Sequence, residues 1–153
     1  MTELAELHRF NAWANRNLLA GVRQLRADQL EERQDGMYNS VLGVLAHLTQ
    51  VEFVYLRMVS GQPPERLSQD LTLEQLATVL EETGAGLLEA ARTRPPDDRV
   101  HIPWFERDFA TSQCLRQVLT HSINHRADIN QWLPRFGVES AALDYILLAL
   151  TEA

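Results

Sequence analysis

The stretch Ser40-Val41-Leu42-Gly43-Val44-Leu45-Ala46-His47-Leu48-Thr49-Gln50-Val51-Glu52-Phe53-Val54-Tyr55-Leu56-Arg57-Met58-Val59 decides the fold class. Its apolar residues at Val41, Val44, Leu45, Leu48, Val51, Tyr55, Leu56 and Val59 recur at the three-and-four spacing of one helical face. Ser40 stands where a hydroxyl can accept a free amide of the first turn. Gly61 and Pro63-Pro64 stop the pattern.

The same period continues on both sides. Leu4, Leu7, Ala14, Leu18, Val22 and Leu25, with Asn11 as the polar exception, predict a helix from Thr2 to about Leu25. A polar connection follows from Arg26 to Asn39, with a turn at Asp35-Gly36. Leu73, Leu76, Val79, Leu80, Leu87 and Leu88 predict a third helix from near Thr72 to Ala91. Gly84 and Gly86 each cost roughly 1 kcal/mol against Ala there, so they mark a kink or a close packing contact. Arg94-Pro95-Pro96-Asp97-Asp98 ends that helix, and Val100 to Phe109, with Pro103 and three aromatic residues, reads as an extended crossover.

A fourth helix begins around Ala110 to Ser112 and carries Leu115, Val118, Leu119, Ile129, Trp132 and Leu133. Pro134 ends or bends it, and Gly137 supplies a C-terminal stop. Ser140 can cap a last short helix ending in Leu143-Asp144-Tyr145-Ile146-Leu147-Leu148. Four long helices and a short fifth predict an all-α four-helix bundle, one domain over residues 1–153.

The formal net charge of −7 and the absence of a basic stripe argue against nucleic acid as a partner, because phosphate binding needs clustered Lys and Arg. No apolar run is long enough to span a bilayer. The acidic opening Met1-Thr2-Glu3-Leu4-Ala5-Glu6 lacks the basic and apolar regions of a signal peptide, so a cytoplasmic protein is expected. The single Cys114 cannot form an internal disulfide, which suits a reducing compartment.

Two of the five histidines sit on one predicted helix, in His121-Ser122-Ile123-Asn124-His125. A four-residue step brings both rings to one face, where two neutral imidazoles can share an ion at metal–nitrogen distances of about 2.0–2.1 Å. Surrounding apolar residues turn that face toward the core, where unpartnered imidazoles are costly. The alternatives are a surface pair, or one core histidine satisfied by a hydrogen bond. His47 lies along the row Val44, Val51, Val54 and Met58 and completes three nitrogen donors from two helices. Three protein ligands leave a position open for water or substrate, as in catalytic sites. Asp128, three residues after His125, is a candidate to orient a ring N–H or take a proton; a solvated acid is the alternative. Cys114, two turns before His121, lies roughly 10 Å from it, too far to share the ion. His8 and His101 have no partner in spacing and read as surface or loop residues.

Taken together, these elements resemble the DinB-like family, the DinB/YfiT superfamily of helical-bundle metalloenzymes. Phe10-Asn11-Ala12-Trp13-Ala14-Asn15 is similar to the family's aromatic-Asn-x-Trp-Ala-Asn start. Ser40 to Arg57, with Ser40, His47, Glu52, Tyr55 and Arg57, resembles its second helix. His121, His125 and Arg126, then Gly137 and Asp144-Tyr145, follow in the family's order. The resemblance implies that His47, His121 and His125 are the metal ligands of an up-down-down-up bundle that is frequently a homodimer. It further implies a divalent ion such as nickel, zinc, iron or manganese, and in some members a low-molecular-weight thiol of the bacillithiol or mycothiol type. The sequence departs from the pattern at Gln117, where the family often has another histidine, at Ala127-Asp128 after the arginine, and at Pro134.

Three functions stay open. The first is a metal-dependent enzyme acting on a small molecule, either a thiol S-transferase taking small electrophiles or a hydrolase, with Asp128 or Glu52 relaying a proton. The second is a non-catalytic metal-binding or stress-response protein, its ion stabilising a dimeric bundle or sensing metal status. The third is a metal-free interaction module with histidines in its core.

Overall fold

The computed structural model describes residues 1–36 and 38–152. Met37 and Ala153, which the sequence reading placed in the polar connection and at the domain's end, lie outside the described residues. The chain is mostly helical, as expected. Its long helices are α1 (Glu3–Val22), α3 (Val41–Val59), α4 (Leu73–Thr93) and α5 (Thr111–Trp132), with two short ones, α2 (Ala27–Glu31) and α6 (Tyr145–Thr151).

Capping side chains set where the helices begin. Thr2 Oγ1 accepts from Ala5 N at 3.1 Å, and Ser40 Oγ accepts from Gly43 N at 3.0 Å. Thr72 and Gln75 satisfy each other's backbone amides at 3.2 and 2.9 Å. The α5 helix gives way to a 3-10 turn over Leu133–Phe136, with Pro134 in its first turn, and Gly137 closes it at φ 77°. Gly84 and Gly86 leave α4 unbroken. A Cβ on Gly86 would lie 2.5 Å from Leu56 Cδ2, so this glycine lets α3 and α4 approach closely rather than kinking the helix.

Four readings need correction. The connection after α1 contains α2, because Gln29 folds back to accept the Arg26 backbone amide at 3.0 Å and starts a helical turn. The segment taken as an extended crossover is an antiparallel hairpin, β1 (Arg99–Ile102) and β2 (Arg107–Ala110), with Val100 opposite Phe109. Pro103 opens a 3-10 turn and Glu106 takes φ 50°, so the chain reverses, while Val100 and Ile102 alternate into the core. The last helix starts after Asp144 rather than at Ser140, whose hydroxyl instead reaches the Asn130 carbonyl at 3.5 Å. His8 is a core residue, only 1% exposed, and its ring reaches α5.

Both α1 and α3 pack against α4 and α5. Among the described residues the core has two large apolar clusters and a small third one of Phe10, Ala14 and Leu148. The first large cluster gathers Leu18, Leu45, Leu48, Leu80 and Ile129; the second gathers Ala5, Tyr55, Leu87, Leu115 and Val118. Along the chain, α1 and α5 run from the second cluster to the first, and α3 and α4 from the first to the second. Between the two large clusters lies a buried polar layer of Asn11, Asn15, Glu52, Ser122 and Arg126.

Candidate metal centre

The polar layer is built from pairs one helical turn apart. Asn11 and Asn15 share a face of α1, and Ser122 and Arg126 share a face of α5. Glu52 on α3, wholly buried, accepts from Asn11 Nδ2 at 2.8 Å, Asn15 Nδ2 at 3.1 Å and Ser122 Oγ at 2.7 Å. Arg126 Nη1 donates to the amide oxygens of Asn11 and Asn15 at 2.6 and 2.8 Å. The two asparagines thus relay between a cation and a carboxylate, their oxygens toward Arg126 and their amides toward Glu52. Burial pulls the Arg126 guanidinium down to about 10, with Glu52 opposing the shift, so it keeps its charge at neutral pH.

His121 and His125 directly precede Ser122 and Arg126 on α5. Anchoring Ser122 and Arg126 on α1 and α3 fixes the rotation of α5, and the adjacent face carries both imidazoles toward His47. Their ring centroids lie 4.4 Å apart, and His47 lies 4.8 and 4.9 Å from His121 and His125. One nitrogen from each ring falls within 4.8 Å of the others, so the three could hold one metal ion.

The closest pair is His47 Nε2 and His121 Nε2, at 2.9 Å. Two imidazole nitrogens that close need either a proton shared between them or a cation. Ligands about 2.0–2.1 Å from one ion stand roughly 2.9–3.4 Å apart between right-angled and tetrahedral geometry, so the spacing fits a common ion. Burial, reinforced by the neighbouring rings of His125 and His47, pushes His121 down to about 4. Burial and His125 likewise lower His47. Both rings are therefore neutral at pH 7, the form that ligates a metal.

The other ring nitrogens differ in their surroundings. His125 Nδ1–H donates to Asp128 Oδ2 at 3.2 Å, which turns its Nε2 toward the cluster. His121 Nδ1 is buried without a hydrogen-bond partner, so Nε2, facing His47, is the only nitrogen of that ring with a partner.

The structure thus brings His47, His121 and His125 together and sets Asp128 beside His125. Glu52 makes no hydrogen bond to any of the three. Cys114 is 2% exposed, its thiol pushed up by burial. It lines a separate cavity with Tyr55, Phe109 and the departing residue Gln117. His8 donates Nε2–H to the Leu115 carbonyl at 3.2 Å, away from the cluster, and His101 pairs with Asp108 on the exposed side of the hairpin at 2.8 Å.

Sequence reasoning did not find Tyr38, and it named Asn11 and Asn15 as motif residues without their bonds to Glu52. The Tyr38 ring stacks on His47 at 4.0 Å and 15°. Tyr38 and Asn39 take φ 70° and 55°, a turn that no local pattern announces. For Asn11 and Asn15 a signal existed: two amides one turn apart on an otherwise apolar face. Beside His47 and Tyr38 opens a cavity of ≈ 660 Å³, also lined by Val54, Arg66 and Trp104.

Fold and site together define a helical protein whose facing helices carry a three-histidine group beside a cavity. The sequence model of the DinB family matches residues 1–152. The chain belongs to the DinB family. No curated protein matches it.

Proposed function

We propose that this protein is a metal-dependent enzyme acting on a small molecule held in the cavity beside His47. The observation that carries the reading is the convergence of three histidine nitrogens, with no fourth His, Cys, Asp or Glu in the group among the described residues. Such a set leaves coordination positions free for a reactant. A divalent ion (nickel, zinc, iron or manganese) held there supplies Lewis-acid chemistry, lowering the pKa of a thiol or water.

In this reading His47, His121 and His125 hold the ion, and Asp128 keeps His125 oriented. Glu52 is a positioning residue whose acceptors are used by Asn11, Asn15 and Ser122. Tyr38 covers one face of His47 and limits water access to it. The reaction class best matched to the family resemblance is transfer of a low-molecular-weight thiol to a small electrophile. The up-down-down-up bundle, a homodimeric assembly and a cytoplasmic setting belong to the same proposal; the helix directions through the two large apolar clusters support the first. Hydrolysis is the alternative chemistry at the same centre.

The experiment is metal analysis of untagged protein, never exposed to a metal column, beside the variant with His47, His121 and His125 all changed to Ala. Near one ion per chain in the wild type and none in the variant is expected. The metal-loaded protein should then speed loss of free thiol in the presence of a small electrophile. Wild-type protein that refuses nickel, zinc, iron and manganese sinks the reading. Loading without thiol consumption sinks only the transferase assignment.

A further inference from the structure

The segment of residues 62–71, between α3 and α4, crosses α3 as a strap anchored on both sides of Arg66. Gln50 Nε2 donates to the Glu65 carbonyl at 3.1 Å, while Gln50 Oε1 accepts from Leu67 N at 2.7 Å. Arg57 adds two further ties, donating to the Pro63 carbonyl at 2.8 Å and pairing with the Glu65 carboxylate at 3.2 Å. The backbone of Arg66 is therefore held from both sides, yet its guanidinium has no hydrogen bond or ion pair among the described residues.

The cavity beside His47 has two charged residues in its wall, Glu65 and Arg66. Glu65 is paired with Arg57 at 3.2 Å. The cavity wall therefore carries one unpaired charge, a cation, in a chain of formal net charge −7. The rest of the wall is largely apolar and offers two aromatic surfaces, Tyr38 and Trp104, of which Trp104 is half exposed. At ≈ 660 Å³ the space falls within the usual range for small-molecule sites.

We infer that this cavity binds a small molecule with an apolar, flat body and one carboxylate, the carboxylate pairing with Arg66. A guanidinium is a planar fork that matches a carboxylate's two oxygens, and a single cation suits a single negative charge. The aromatic surfaces take the body and leave the ligand's other end near His47. The inference rests on the reading that the histidine centre serves this cavity, and it assigns a determinant of ligand choice outside the histidines.

The test compares 1-naphthaleneacetate with its uncharged counterpart 1-naphthaleneacetamide, titrated into full-length protein and followed by NMR chemical shifts. The protein is first stripped with a chelator, so that a carboxylate cannot gain affinity by binding an ion. Arg66 is exposed, so wild type is expected to prefer the acid by about two- to fivefold, the range of an exposed charge-assisted pair. R66Q should lose the preference and R66K should keep part of it. Equal affinity for the two probes, a preference that survives in R66Q, or no binding of either in the millimolar range overturns the inference. Metal content of the same proteins separates the two ideas. R66Q should load metal like wild type, whereas failure of the wild type to load metal refutes the histidine reading and leaves the probe result to be judged by itself.

Discussion

His8 shows how one buried imidazole shapes the protein's response to acid. It is 1% exposed, donates one N–H to the Leu115 carbonyl, and has no partner at Nδ1. Burial lowers it from 6.5 to about 4, so the folded protein resists a proton that the unfolded chain accepts. Above pH 6.5 both states are neutral and the site contributes its full stability; as pH falls toward 4 the unfolded state gains the proton first and stability is lost. The loss is on the order of 3 kcal/mol across that window. Urea unfolding of wild type and His8→Gln at pH 7 and pH 4.5 measures it. The variant should lose less stability over the interval, and equal losses would mean that His8 titrates as an exposed histidine does. The reading of His8 as a surface or loop residue failed because its partner is a backbone carbonyl on α5, distant in sequence.

At the scale of an element, the start of α3 couples helix geometry to the site. Gly43 lies in the first turn, where its amide is capped by Ser40 Oγ. A Cβ at Gly43 would overlap the Tyr38 carbonyl oxygen, so glycine is what lets the Tyr38–Ser40 turn fold against the helix and lay the tyrosine on His47. Gly43→Ala should destabilise by about 1–3 kcal/mol, since backbone must move to relieve the overlap. Gly84→Ala is the control. Its Cβ would meet Ala12 Cβ at 3.4 Å, at the tight end of ordinary contact, and α4 gains helix propensity worth up to about 1 kcal/mol. Thermal melts showing loss in the first and no loss in the second are expected; similar behaviour of the two would remove the special role of Gly43. The sequence marked Ser40 as a cap, but the turn packed above it involves left-handed residues, Tyr38 and Asn39, that carry no glycine signature.

At the scale of the whole molecule, the polar layer ties α1, α3 and α5 together between two large apolar clusters. Removing one charge leaves the other buried without compensation, which typically costs about 3–5 kcal/mol. Arg126→Met should cost that much in urea unfolding. The double variant with Glu52→Gln should lose less than the sum of the two single changes, because the pair acts through shared asparagines. Strict additivity would show that the layer is a set of independent contacts.

What the sequence by itself determined is the helical class, the approximate spans of the long helices, and the pairing of His121 with His125 on one helix face. These are local properties: apolar period, capping residues and a four-residue step between imidazoles each act within a few turns of chain. Only the tertiary structure decided the rest. Glu52 and Asp128 looked alike as candidate acids, yet one closes a buried network and the other holds His125, because packing sets which neighbours each carboxylate meets. Tyr38 on His47, the hairpin at Val100 to Phe109 and the strap that fixes Arg66 likewise depend on residues distant in sequence. Their geometry arises when helices dock, and no single helix face encodes it.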